Sequence, residues 1–410
     1  MRLLFVVHRY GEGVAGGAEI YCRLLAEHLA AEGHDVHVVT SCATSYVDWA
    51  NVLPPGRSEL GGVAVHRLPV LEPRDAERFG RLSSRVLSGG WLPPWHLQQE
   101  WMRRQGPLLD GLEDWLTDHA RGFDVANVVT YLYATTAASL PVLAGRLPVL
   151  LHPTAHDEPP LRLPLFDPLV QLADALAFLT EEEEALVRSR FGARQPGAVV
   201  GIGADLDAGP GDGGVAFRAA FGLGDDPYLL YLGRVDASKG TPELIEWFGM
   251  YQLRRHRALR LAVVGDPVER PALPPGAVLT GVIDDDLKRS ALSGAMSLVQ
   301  PSYFESFSIV LSEAWVAGVP ALVQGRSPVL AGQARRSGGA IAYEGFAEFE
   351  AGLDLLIDRP ALRERLGAAG RSYVERRYAW PAVLDRYLEL VARVVPTTAG
   401  RRGWAQGVAQ

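Results

Sequence analysis

A chain of 410 residues exceeds one ordinary hydrophobic core, so two folded domains are expected. The net charge of −8 argues against general nucleic-acid binding, which needs a basic field along one face. Two cysteines, Cys22 and Cys42, lack metal-ligand spacing and exclude a disulfide framework; they read as neutral thiols of a reducing compartment.

Leu3–Val7 is an apolar run of strand length, and His8 and Arg9 follow it directly. That is too short for a signal peptide or a membrane span, so a cytoplasmic location is expected. A glycine-rich loop, Gly11–Glu19, leads into a helical pattern through Ile20, Leu24, Leu25 and Leu29, which Gly33 stops. Val36–Thr40 is the next strand, giving a strand–loop–helix–strand unit of the doubly wound type. A dinucleotide site fails here on two counts. The glycines do not fall as G-x-G-x-x-G, and the position for an acidic ribose ligand reads Thr40-Ser41-Cys42. Gly16 and Gly17 therefore mark either a flexible turn or a close approach of backbone to a ligand.

The segment Arg74–Arg104 carries six arginines with Trp91, Trp95 and Trp101 among them. It reads either as a basic, aromatic surface for a membrane or as a helical insertion whose tryptophans pack inward. Val125–Val129 and Leu147–Leu151 are further strands, the second leading into HPTAHDEPP with His152 and His156 as competing candidates for a functional imidazole. Ala177–Thr180 is another strand, and Glu181–Glu184 a helix start whose charges favour the dipole without a ligand. Val199–Gly203 would end the first domain, and the glycines of Gly201–Pro227 read as a linker.

A second alternating unit opens with Tyr228–Leu232 and the loop GRVDASKG, Gly233–Gly240, with Pro242 at helix entry. Leu259–Val264 and Val278–Gly281 are its next strands. Asp284, Asp285 and Asp286 precede a helical run and fit an N-cap better than a metal site. Met296–Ser302 is a buried-strand candidate. Beyond it Ser306 or Ser308 should cap a helix over Ile309–Ala317, with Glu305 ahead and Glu313 on its second turn. Such a helix start attracts a diphosphate, and flanking carboxylates can accept from sugar hydroxyls; a favoured helix terminus and a solvated face are the local alternatives. The residues after Pro320, VQGRSPVLAGQARRSGG, read as a loop. Arg377–Val391 is a final helix, and the aperiodic tail 396–410 is expected to be mobile.

The order of these pieces resembles glycosyltransferase family 4, the retaining transferases of GT-B fold. ESFSIVLSE is similar to its E-x7-E signature, GRVDASKG to its G-R-x-x-x-x-K-G loop, and GGAE to its first loop. The resemblance implies an α/β architecture of two Rossmann-like domains facing across a cleft. Its bounds would be 1–205 for the acceptor, 206–376 for the donor, and a returning helix at 377–395. It implies catalytic parts for His156, Arg234, Lys239 and Glu305, the cations meeting a donor diphosphate. Gly16, Gly17, Gly233 and the backbone of Ser306, Phe307, Ser308 and Ile309 would contact donor, and Glu313 its ribose. The reaction implied moves a sugar from a UDP- or GDP-sugar to a hydroxyl acceptor, with no metal or other cofactor, in envelope polysaccharide or glycoconjugate synthesis. The acceptor could be a lipid-linked glycan, with peripheral membrane contact through 74–104. Departures are Ser306 and Ser308, where many relatives have glycine, and a missing glycine-pair-plus-glutamate after Pro320. A GT-B epimerase or hydrolase, a natural-product transferase and a non-catalytic nucleotide-sugar binder are the rivals.

Overall fold

The computed structural model describes residues 1–206, 209 and 211–395; the tail expected to be mobile lies outside them. Contacts divide the chain into two compact units, Met1–Ile202 joined by the chain from Val383, and Gly203–Ala382.

In the first unit the strands are β1 (Arg2–Val7), β2 (Asp35–Ser41), β3 (Gly56–Leu60), β4 (Val63–Leu68), β5 (Val125–Val129), β6 (Val149–His152), β7 (Ala175–Phe178) and β8 (Gly197–Val199). Their order is β3-β4-β2-β1-β5-β6-β7-β8. All pairings are parallel except the β3–β4 hairpin. Helices α1 (Gly17–Ala31), α2 (Ala76–Leu87), α3 (Trp95–Gln105), α4 (Leu112–His119), α5 (Ala134–Leu143), α6 (Asp167–Gln171) and α7 (Glu181–Phe191) complete it. The central strands are continuous apolar runs because parallel strands are covered on both faces; every residue of β5, β6 and β7 is buried.

Four expectations need correction in this unit. The hairpin was not foreseen, although Gly61 and Gly62 both have positive φ, the two-residue turn such hairpins favour. β7 ends at Phe178 because Thr180 turns to cap α7, its side chain accepting from the Glu183 N–H. The last strand is Gly197–Val199 and not Val199–Gly203. The arginine- and tryptophan-rich stretch divides between its two readings. Trp101 is 1 % exposed and donates to Ser83 Oγ at 3.0 Å, while Trp91 and Trp95 are 43 % and 50 % exposed.

The second unit holds α8 (Val215–Phe221), β9 (Tyr228–Leu232), α9 (Thr241–Arg255), β10 (Arg260–Val264), β11 (Ala277–Gly281), α10 (Asp285–Gly294), β12 (Ser297–Gln300), α11 (Ile309–Val316), β13 (Ala321–Gln324), α12 (Pro328–Ser337), β14 (Ala340–Tyr343), α13 (Phe346–Asp358) and α14 (Pro360–Arg377). The sheet order is β11-β10-β9-β12-β13-β14, parallel throughout. Counted within the unit this is 3-2-1-4-5-6, the doubly wound order with its switch point between the first and fourth strands.

The stretch read as a linker contains α8. Two of its glycines serve close packing: a Cβ on Gly211 would lie 2.2 Å from Ser293 Oγ and one on Gly214 2.8 Å from Gly294 Cα. The stretch read as a loop after Pro320 holds the end of β13 and all of α12, and β14 follows it. Ser327 caps α12 through its side chain, with Pro328 at the first helical turn. Helix α15 (Trp380–Ala392) begins later than expected because Ala379 pairs with Ala204 in an isolated bridge. From Val383 it belongs to the first unit, where Tyr387 Oη donates to Asn127 Oδ1 at 3.0 Å and Arg386 donates to Val200 O at 2.7 Å.

Candidate functional site

In the second unit the loops that follow β9 and β12 leave the carboxyl ends of the two strands at the switch point, where doubly wound sheets hold ligands. Both are drawn in tightly. A Cβ on Gly265 would stand 1.8 Å from Gly233 O, and one on Gly240 would stand 2.4 Å from Pro301 O. Gly240, at φ 72°, therefore lets Gly233–Gly240 lie against the chain that leads to Glu305.

That approach brings Lys239 Nζ to 2.7 Å from Glu305 Oε1. Arg234 pairs with Asp236 at 2.6 Å, and Asp236 also accepts from the Lys239 N–H at 3.1 Å. Burial pushes the Asp236 carboxyl up, but Ser238, Arg234 and backbone N–H groups outweigh it and hold it below its usual range. Glu313 lies on the second turn of α11 and pairs with Lys288 at 2.6 Å. Lys288 is a positioning group the sequence reading missed.

Ser308 stands at the N-cap of α11, as expected, but not with the expected chemistry. Its φ is 73° and its side chain makes no cap hydrogen bond; its Oγ accepts from Gln300 Nε2 at 2.9 Å instead. The left-handed backbone explains why glycine suits this position. Gln333 on α12 donates to Phe307 O at 2.5 Å, and the Phe307 ring packs edge-on against Tyr378 at 4.9 Å. The Phe307 side chain thus faces the core, as do the groups that fix the segment ahead of Ile309. Ser306 lies half-buried in the same turn. Asp284 caps α10 by accepting from the Leu287 N–H at 2.8 Å. No group of three metal-ligating side chains converges among the described residues.

In the first unit Gly16 and Gly17 open α1, and the space beside Gly16 is taken by the chain itself: a Cβ there would lie 2.2 Å from Glu19 Oε2. Glu19 bonds Arg9 and, at 2.8 Å, His8 Nε2. Burial lowers the His8 pKa, so the neutral ring donates and Arg9 supplies the counter-charge. Burial also pushes Glu19 up, but His8 and Arg9 outweigh it and bring the carboxyl to about 2. This cluster was absent from the sequence reading.

His152 is fully buried, with Nδ1 at 2.8 Å from Tyr21 Oη and Nε2 at 3.0 Å from Asn127 Oδ1. Asn127 Oδ1 also receives Tyr387, which fixes His152 as the neutral tautomer protonated at Nε2. Burial pushes its pKa down to about 3. His156 is the accessible imidazole of the pair, half-buried, with Nδ1 3.7 Å from Glu158 Oε1, an atom that also accepts from Tyr131 Oη at 2.7 Å. Glu181–Glu184 opens α7, as expected, with the Glu183 side chain buried. A separate cavity of about 160 Å³ is lined by Trp49, Glu72, Arg74, Arg78, Arg103 and Arg104. Among the described residues no helix is long and apolar enough to cross a membrane.

The two Rossmann-like sheets give the fold of GT-B glycosyltransferases. Sucrose-phosphate synthase from Thermosynechococcus elongatus aligns with TM-score 0.72 at 19 % identity, over 96 % of this chain and 98 % of its own. HepE of Anabaena, solved with UDP and glucose, aligns with TM-score 0.69 at 14 % identity, over 96 % and 100 %. The sequence matches the family described as "Glycosyl transferases group 1" over residues 216–373 and "Glycosyl transferase 4-like domain" over residues 16–203. It is 30 % identical to the D-inositol 3-phosphate glycosyltransferase of Thermomonospora curvata, over 93 % of this chain and 91 % of that protein. The chain belongs to the family 4 glycosyltransferases of GT-B fold.

Proposed function

We propose that this chain moves a sugar, with retention of configuration, from a nucleoside-diphosphate sugar to a hydroxyl acceptor, without an essential metal. The observation that carries the reading is the pairing of Lys239 with Glu305 beside the N-terminus of α11. As the bond to the sugar breaks, negative charge grows on the departing diphosphate. Arg234 and Lys239 balance it together with the first N–H groups of α11, the part that a divalent ion plays elsewhere. Arg234 can chelate two phosphate oxygens, and Lys239 acts as a point charge that keeps one N–H on Glu305. Glu305 accepts from the donor sugar and Glu313 from the ribose diol, and His156 is the catalytic imidazole of the reading. The departing phosphate takes the acceptor proton on the face it leaves.

HepE was solved with UDP and glucose and with UDP-glucose, which favours a UDP-sugar over a GDP-sugar here. The test is turnover of a nucleotide-sugar panel with EDTA present, with the product's anomeric configuration read by NMR. Strict dependence on manganese or magnesium, or an inverted product, overturns the reading. Products formed without acceptor separate a transferase from a hydrolase or epimerase, and binding without turnover marks a non-catalytic binder.

For the acceptor, assembly of an envelope glycan on a lipid carrier in the cytoplasm is one assignment. Trp91 and Leu92, exposed between α2 and α3, and Trp95 at the start of α3 would touch the membrane; liposome co-sedimentation tests this. The arginine-lined cavity favours a second assignment, a small phosphorylated acceptor of the kind named for the T. curvata relative, D-inositol 3-phosphate. Comparing a polyol with its phosphate ester as acceptor decides between them.

A further inference from the structure

A glutamate at the third position of a helix ordinarily bonds back to its own N-cap residue. Glu183 does more. It is 1 % exposed. Its Oε1 accepts from the Ala155 N–H at 2.7 Å and its Oε2 from the Leu179 N–H at 2.6 Å, and the Thr154 and Thr180 N–H groups also bond to it. One carboxylate thus gathers the turn after β6 and the turn before α7. The first of these turns contains Thr154 at φ 49°, a left-handed conformation that a β-branched residue rarely adopts. The next residue but one is His156.

We propose that Glu183 is a positioning residue for His156. It holds the Thr154–Ala155 backbone in its left-handed turn by accepting from both N–H groups, so that the imidazole is presented in one orientation. The inference rests on the reading that puts His156 at the reacting centre. Burial keeps Glu183 itself from touching substrate, and its hydrogen bonds reach the chain ahead of His156 at the Thr154 and Ala155 N–H groups, so it acts through the backbone. If the carboxyl group loses its acceptor pair, the left-handed turn loses the bonds that oppose its relaxation. A displacement of about 1 Å in a group at a reacting centre costs about a hundredfold in rate.

The test compares Glu183→Gln, Glu183→Asp and His156→Ala, singly and as the double variant Glu183→Gln/His156→Ala. Gln keeps the volume but presents an N–H₂ to one of the backbone donors. Expected is a fall in kcat of about tenfold or more for Glu183→Gln with donor KM unchanged. No further fall should appear when it is added to His156→Ala. Amide exchange at Ala155 should quicken while Leu150 and Leu151 of β6 stay protected. Glu183→Asp, which keeps the carboxyl group on a shorter stem, serves where Gln does not fold, and should show the same exchange signature in milder form. A folded Glu183→Gln enzyme with native kcat beside an impaired His156→Ala overturns the proposal and leaves the reading of His156 standing. A His156→Ala enzyme with native kcat overturns that reading, and the proposal with it. Losses that simply multiply in the double variant also overturn it, since Glu183 would then act by another route.

Discussion

The two units place charged side chains at the same topological position and treat them in opposite ways. At the end of β1, the side chains of His8, Arg9 and Glu19 are 1 %, 5 % and 6 % exposed. At the end of β9, Arg234 and Lys239 are 42 % and 31 % exposed. Charges withdrawn from water must neutralise one another permanently, because a lone survivor has no solvent to turn to. Pairs that keep one member in water contribute little to stability and can exchange a carboxylate for a ligand's phosphate. The contrast teaches that the first cluster is committed to the interior of its unit, whereas the second keeps its cations within reach of water.

The largest test of that contrast is acid. The His152 pKa lies at about 3 in the folded chain, against 6.5 for the free side chain. Between these values the unfolded chain binds the extra proton, so the stabilisation is complete above 6.5 and is lost as pH falls toward 3. Linkage puts the full effect at about 5 kcal/mol. Glu19, held at about 2, adds a loss in the same direction below 4.5. Glu183, which burial pushes up to about 8, works in the opposite direction over part of this range. Amide exchange of β5 and β6 followed from pH 7 to 4 should lose protection less steeply in His152→Asn than in the native chain; an unchanged slope would contradict burial of His152 as its cause.

Next in size, Glu19→Gln leaves Arg9 buried without a counter-charge and should cost about 3–5 kcal/mol in urea denaturation. Glu305→Gln, its counterpart, should cost less than about 1 kcal/mol while impairing transfer. Equal losses would mean the two clusters are alike after all. Lys239→Ala should lower kcat on donor about ten- to hundredfold, the equivalent of about 1.5–3 kcal/mol, with Tm nearly unchanged. Native kinetics in a folded variant would falsify its assignment. The smallest effect belongs to Ser308. Ser308→Ala keeps the left-handed strain and strands the Gln300 amide, at about 1–2 kcal/mol. Ser308→Gly relieves that strain and should lose less than half as much; the reverse order in thermal melts would show that the hydrogen bond outweighs the backbone.

The sequence by itself determined the fold class, the two alternating units and the positions of GRVDASKG and ESFSIVLSE. These signals are local, because a strand buried on both faces must be a continuous apolar run and a tight loop must carry glycine. It missed β13, α12 and β14, whose apolar runs are short and interrupted by serine, arginine and glycine, and it missed α8 inside the stretch read as the inter-domain linker. Only the tertiary structure decided which charges meet. Lys239 and Glu305 are 66 positions apart, Lys288 and Glu313 25, and Glu183 and Ala155 28. It also decided which glutamate of Glu181–Glu184 turns inward and which histidine of His152 and His156 is sealed away. Those outcomes depend on what stands opposite once the sheets are formed, and no spacing along one strand or helix records its partner.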